Sequence, residues 1–96
     1  MSVYMVVKAR ITDPLRFAAY GKAVPPLVAR HGGRYLVLGG PTLVLEGESP
    51  EVKTVVSEWP SREAALAFWH SPEYRAACEL RAGTGEFSVV LVDGLS

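Results

Sequence analysis

The chain lacks several features that mark common classes of protein. Cys78 is its one cysteine, so no intramolecular disulfide can form, and we expect a reducing, cytoplasmic location. No apolar run approaches the length that spans a membrane, and the N-terminus shows no signal-peptide pattern. The formal net charge is zero, which disfavours binding to nucleic acid through phosphate contacts. We therefore expect a cytoplasmic protein that binds neither nucleic acid nor membrane.

Motifs for metal ions and nucleotides are also missing. His31, His70 and Glu58 show no spacing typical of a metal site. A phosphate-binding glycine loop opens a helix, whereas Gly32-Gly33 follow a predicted helix and Gly39-Gly40 follow a predicted strand. We therefore expect no metal, no nucleotide and no other cofactor.

Length and patterning predict one small domain over residues 1–96. A chain of 96 residues fits one domain, and its hydrophobic content of 49% is that of a globular protein. Apolar or alternating stretches predict strands over 3–11, 34–38, 52–59 and 87–92. Residues 43–46 are predicted to resume extended chain and to form a hairpin with the strand over 52–59.

Two helical regions separate these strands. Asp13 and Pro14 are a typical helix start, and Pro25-Pro26 predict a kink or a division into two short helices. Ser61 predicts the start of the second region, and Ser71, followed by proline and an acid, predicts that this region restarts and runs to about Ala82.

This order of elements predicts an α+β fold of the βαββαβ type, with two kinked helices on one face of a four-stranded antiparallel sheet. Stretches such as "TVV" and "SVVLV" place apolar residues on both faces of the sheet. A large exposed apolar face is unusual in a monomer, so we expect a homodimer in which two sheets pack face to face.

Charge is unevenly placed along the chain. Residues 8–34 contain six basic side chains and one acidic one, whereas residues 46–63 contain five acidic and two basic ones. Such a distribution could pair patches between subunits or steer a small anion, although ordinary solvated faces are the simpler interpretation.

Candidate chemistry centres on a few side chains. His31 is either a general acid or base at the mouth of a cleft or a histidine stabilised by a helix C-terminus. Arg81 lies on a largely apolar helical stripe and needs a carboxylate or a bound anion, and Glu58 is a possible partner. Tyr20 and Trp59 are candidates to line a pocket between sheet and helices. The candidate ligand-binding residues are therefore Tyr20, Arg34, Glu58, Trp59 and Arg81.

The segments "VPPLVARHGGRYLVLGG" and "SEWPSREAALAFWHSPEY" resemble the bacterial family catalogued as domain of unknown function 1330. The resemblance covers residues 4–94. It implies a ferredoxin-like fold that dimerises as an α/β barrel. The wider superfamily includes cofactor-free monooxygenases, lactone isomerases, dehydratases and members without known activity.

Two functional hypotheses follow. The first is a cofactor-free enzyme that acts on a small organic acid or ring compound, with His31 as acid or base, Arg34 or Arg81 meeting an anionic group, and Tyr20 and Trp59 shaping the pocket. The second is a non-catalytic homodimeric module for ligand binding or assembly. A pocket in which His31 or Arg81 reaches solvent beside aromatic rings would favour the enzyme.

Overall fold

The computed structural model describes residues 2–95, which form four strands and three helices. The elements in chain order are β1 (Val3–Ile11), α1 (Pro14–Arg30), β2 (Arg34–Leu38), β3 (Lys53–Trp59), α2 (Arg62–Trp69), α3 (Pro72–Arg81) and β4 (Gly85–Asp93). The strands form one antiparallel sheet in the order β2-β3-β1-β4. The predicted α+β architecture is confirmed.

The molecule has two layers, a sheet and a layer of helices. Its Cα atoms extend over 32 × 32 × 16 Å, and the short dimension fits one sheet with helices on one side. Alternate residues of β1, including Val3, Met5 and Ala9, are buried on the face that meets the helices, here called the inner face. Trp59 and Phe68, which are almost fully buried, lie at the centre of this core.

The three predicted helix starts are confirmed. The side chains of Asp13, Ser61 and Ser71 each accept a hydrogen bond from the backbone N–H three residues later. The second helical region restarts after His70, as its second capping serine indicates. Within residues 2–95, none of these helices has the length and hydropathy needed to cross a membrane.

Helix α1 continues through both of its prolines. Pro25 and Pro26 remove two donors of the helical hydrogen-bond ladder, yet one helix covers the whole segment, so the prediction of two short helices is wrong. Val24, Leu27 and Val28 explain this continuity, because they are buried on both sides of the pair and hold the two halves in the hydrophobic core beside α3.

The predicted hairpin between residues 43–46 and β3 is wrong. Strand β2 itself pairs with β3, and residues 39–52 form an irregular connection. Leu43 and Leu45 are 84% and 89% exposed, so burial does not hold them in a strand. Gly39, with φ of 67°, and Pro41 end the extended chain before these leucines.

The other face of the sheet, here called the outer face, carries no helix. Tyr4 and Val6 of β1 lie on it, opposite Val92 and Val90 of β4. Val90 and Val92 are 53% and 46% exposed, and Val37 of β2 is 42% exposed. The expectation of an apolar outer face is therefore confirmed for the single chain.

Ion pairs lie around this apolar centre. Lys8–Glu48, Arg10–Glu51 and Arg34–Glu58 join the basic segment to the acidic one, and Arg10 also pairs with Glu86 of β4. The two oppositely charged segments thus meet within one chain, whereas the sequence had also allowed pairing between subunits.

Candidate functional site

A pocket of about 380 Å³ lies between the inner face of the sheet and helices α1 and α3. This volume suits a small organic molecule. The floor and the roof are mainly aliphatic: Met5, Val7, Ala9, Val55, Val24 and Val28. Much of the remaining wall is aromatic: Phe17, Tyr20, Tyr35, Trp59, Phe68, Tyr74 and Phe87. An apolar compound with a ring would find complementary surfaces on several sides.

Two tyrosine hydroxyls meet at the wall of this pocket. The Tyr20 and Tyr74 oxygens are 2.8 Å apart, and the rings meet edge to face. Burial raises the pKa of both side chains above the usual value of 10, so both hydroxyls are protonated at neutral pH. One hydroxyl hydrogen lies between the two oxygens, and the other is available to a further acceptor.

Tyr35 contributes a third neutral hydroxyl. It follows the outward-facing Arg34 on β2 and therefore points to the inner face, where it pairs across the sheet with Ser57. Burial raises the pKa of Tyr35 to about 12. The phenolic groups of the pocket are therefore hydrogen-bond donors rather than bases at physiological pH.

Arg81 lies beside the pocket and stacks on two aromatic rings. Its guanidinium carbon is 4.4 Å from the Phe87 ring centroid and 5.3 Å from that of Tyr20. No carboxylate of residues 2–95 lies within ion-pair distance of it. The suggested pair between Arg81 and Glu58 is therefore wrong, because Glu58 lies on the outer face.

Glu58 and Arg34 form a polar cluster on the opposite side of the sheet from the pocket. Arg34 Nη2 lies 2.6 Å from Glu58 Oε1, and Ser2 Oγ donates to Glu58 Oε2 at 2.8 Å. The hydrogen bond from Ser2 and the pairing with Arg34 lower the pKa of Glu58. The structure thus separates these two predicted ligand-binding residues from Tyr20, Trp59 and Arg81.

Trp59 forms the closed end of the pocket. It is 1% exposed, its indole Nε1 donates to Ser57 Oγ at 2.9 Å, and its ring centroid lies 5.0 Å from that of Phe68. Because its one polar atom is already bonded, Trp59 offers a ligand an apolar surface and no free donor.

His31 caps the C-terminus of α1 and does not line the pocket. Its Nδ1 is 3.0 Å from the Leu27 carbonyl oxygen, and its ring meets the edge of Phe68 at a centroid distance of 5.9 Å. A carbonyl only accepts hydrogen bonds, so Nδ1 is the donor in this contact. The geometry at Nδ1 is that of a helix end.

Lys53 lines the pocket, although the sequence reasoning did not select it. It begins β3 and lies opposite Ala9, two residues from Val55 and four from Ser57, so the alternation of the strand places it on the inner face. That alternation was the signal that could have identified it. In the described part of the chain, no group of three or more His, Cys, Asp or Glu side chains is placed to hold a metal ion.

An antiparallel sheet with helices on one face and an apolar pocket between the two layers is the architecture of a class of small α+β proteins. The chain belongs to the family described as Domain of unknown function (DUF1330), whose sequence profile matches residues 2–95. No protein with a curated description matches it.

Solved structures of similar fold are ferredoxin-like. A protein of unknown function from Rhodopseudomonas palustris is 24% identical, with a TM-score of 0.81 over 99% of this chain and 83% of that one. A dimeric ferredoxin-like protein of unknown function from Jannaschia sp. CCS1 is 14% identical, with a TM-score of 0.74 over 98% and 100% of the two chains. SnoaB, a cofactor-independent oxygenase from Streptomyces nogalater, is 15% identical, with a TM-score of 0.72 over 99% and 94%. The predicted ferredoxin-like fold is confirmed.

Proposed function

We propose that the inner pocket binds a small organic acid or ring compound and that the protein acts on this compound as a cofactor-free enzyme. The observation that carries the proposal is the pocket itself, in which aromatic walls surround a pair of neutral tyrosine hydroxyls and a stacked arginine. The fold of SnoaB, a cofactor-independent oxygenase, is compatible with such chemistry.

Three features of the pocket lining have a proposed role. The Tyr20–Tyr74 pair donates its available hydrogen to an oxygen of the ligand and stabilises negative charge that develops there. Arg81 meets an anionic group, and Trp59 forms the apolar end wall. His31, Arg34 and Glu58 lie outside the lining, so we assign them no contact with the ligand.

A thermal-shift panel of aromatic and alicyclic acids, phenols and lactones tests the pocket. A ligand at 100 times its dissociation constant should stabilise the protein by about 2.7 kcal/mol. Gly21 lines the pocket on α1, and nothing lies within 4 Å of the Cβ that a substitution would add, so Gly21→Leu should fill the pocket and abolish the shift. Ala19→Leu adds a side chain on the same helix outside the lining and should leave the shift unchanged.

The second candidate function is a non-catalytic dimeric module, which the apolar outer face favours. Incubation of the protein with a ligand from the panel, followed by mass spectrometry of that ligand, separates the two functions. If the wild-type protein converts the ligand to a product and Gly21→Leu does not, the protein is an enzyme. If the ligand binds and remains unchanged, the protein is a binding module.

We also propose that the protein is a homodimer whose outer faces stack to form an α/β barrel. An apolar centre around Val90 with ion pairs at its margin is the usual composition of a protein interface. The Jannaschia protein of similar fold is dimeric, which supports the same assembly here.

A further inference from the structure

We propose that Lys53 and Arg81 bind a carboxylate at one end of the inner pocket, and that the ligand is an aromatic monocarboxylate. This inference rests on the proposed function, because it assigns a chemical class to the ligand of the same pocket. Three observations carry it: the position of the two cations, their free donors, and the distribution of charge in the lining.

The sheet register brings both cations to the same end of the pocket. Lys53 lies opposite Ala9, and Ala9 lies opposite Phe87, so these three residues form one row across β3, β1 and β4 on the inner face. Arg81 stacks on the Phe87 ring at 4.4 Å. Lys53 and Phe87 are two strands apart, or about 10 Å between backbones. Both long side chains can therefore reach one anion between them.

The donors of Arg81 remain available despite its packing. The guanidinium carbon lies over the rings of Phe87 and Tyr20, and neither ring carries a carboxylate or carbonyl acceptor that would take the place of an anion. Among residues 2–95, no acceptor takes a hydrogen bond from the Arg81 or the Lys53 side chain. A guanidinium whose donors have no protein partner is suited to a carboxylate.

The lining lacks a negative charge to balance these cations. Of the residues that surround the pocket within the described chain, Lys53 and Arg81 are charged and none is acidic. By contrast, Lys8, Arg10 and Arg34 on the outer face all have carboxylate partners. An anionic ligand would supply the missing charge. Beside the half-buried Arg81 the interaction is stronger than in water, whereas Lys53 is exposed and contributes a more screened attraction.

The opposite end of the pocket indicates that the part of the ligand away from the carboxylate is apolar. Trp59 and Phe68 form an apolar aromatic wall there, and Trp59 has no free donor. Along β3, Ser57 near the aromatic wall and Lys53 at the cationic end are four residues apart, a distance of about 13 Å. A ring system fits in this interval with its carboxylate at the cationic end.

Isothermal titration with 2-naphthoate and 2-naphthamide tests the inference, because the two probes share a ring system and differ in charge. We expect naphthoate to bind at least about tenfold more tightly, since hydrogen bonds to charged groups contribute about 1.5–3 kcal/mol. Lys53→Met and Arg81→Met should each weaken naphthoate binding about tenfold and leave naphthamide binding unchanged. Lys22→Met removes the same charge from α1 outside the lining, so it should alter neither affinity.

The outcomes separate this inference from the proposal beneath it. Equal affinity for the two probes, or equal losses in the Lys22 and Lys53 variants, overturns the carboxylate site and leaves the pocket proposal standing. Failure of both probes to bind also overturns the carboxylate site. The pocket proposal itself fails only if the full panel yields no ligand that Gly21→Leu excludes.

Discussion

Gly33 shows how a single residue of the "HGGR" segment serves the core. A Cβ at this position would lie 2.8 Å from Cη2 of Trp59, closer than real side chains approach. Gly32, with φ of 88°, ends helix α1 in a conformation that glycine adopts readily. The first glycine pair therefore turns the chain and then admits the indole ring.

Gly33→Ala should destabilise the fold by about 1–3 kcal/mol, because Trp59 is buried and cannot move without disturbing Phe68. Chemical denaturation followed by circular dichroism measures the change. Gly40→Ala is the matched control, since its Cβ would meet nothing within 4 Å, and it should change stability by less than about 0.5 kcal/mol. Equal stability of the two variants would contradict the packing argument.

Sequence reasoning predicted part of the candidate site at this scale. Tyr20, Trp59 and Arg81 were selected and lie at the pocket. Glu58 was grouped with its neighbour Trp59, although adjacent strand residues point to opposite faces, so that grouping conflicts with strand geometry. The Tyr20 and Tyr74 hydroxyls meet because α1 packs against α3. This packing joins residues far apart in the sequence, so local patterns did not predict it.

At the scale of elements, two capping serines divide the second helical region. Ser71 is 7% exposed, and its Oγ accepts from Tyr74 N–H while donating to the Phe68 carbonyl. Ser61 accepts from Ala64 N–H and is only half-buried. A capping serine thus occurs in a buried and in a half-buried environment. Water can bond the capped backbone N–H in place of the serine hydroxyl more easily at Ser61.

Ser71→Ala should therefore lower the free energy of unfolding by about 1–2 kcal/mol, and Ser61→Ala by about 1 kcal/mol or less. Urea denaturation of the two variants, read by far-ultraviolet circular dichroism, gives the comparison. A larger loss for Ser61→Ala would show that burial does not set the strength of these caps.

Helix starts were predictable because each depends on a few adjacent residues. The continuity of α1 through Pro25-Pro26 was not, because tertiary burial outweighs the loss of two local hydrogen bonds. The absence of a strand over 43–46 has a similar origin. Leu43 and Leu45 have strand-like composition, but in the described structure no neighbouring strand pairs with them.

At the scale of the whole molecule, light scattering tests the proposed dimer. The wild-type protein at micromolar concentration should have twice the mass of one chain. Val90→Lys places a charge at the centre of the outer face and should give the mass of a monomer that remains folded. Leu80→Lys changes a similarly exposed side chain on α3 and should stay dimeric. A monomeric wild-type protein would overturn the assembly.

The fold as a whole was the most predictable level, because strand and helix patterns along the chain agree on one arrangement. The register is less predictable, since β2 shifts between Tyr35 and Val37 where it pairs with β3. That shift arises within an apolar run whose composition favours either face.

The same irregularity in β2 has a consequence for whether a further strand can add to that border of the sheet. Strand β2 is a border of the sheet, and its backbone groups on that side have no partner strand in residues 2–95. Its five residues and the shift near Leu36 interrupt the regular row of donors and acceptors that an incoming strand would need. Association of a second copy along this border is therefore discouraged, whereas the other border of the sheet, β4, has nine residues and a regular register.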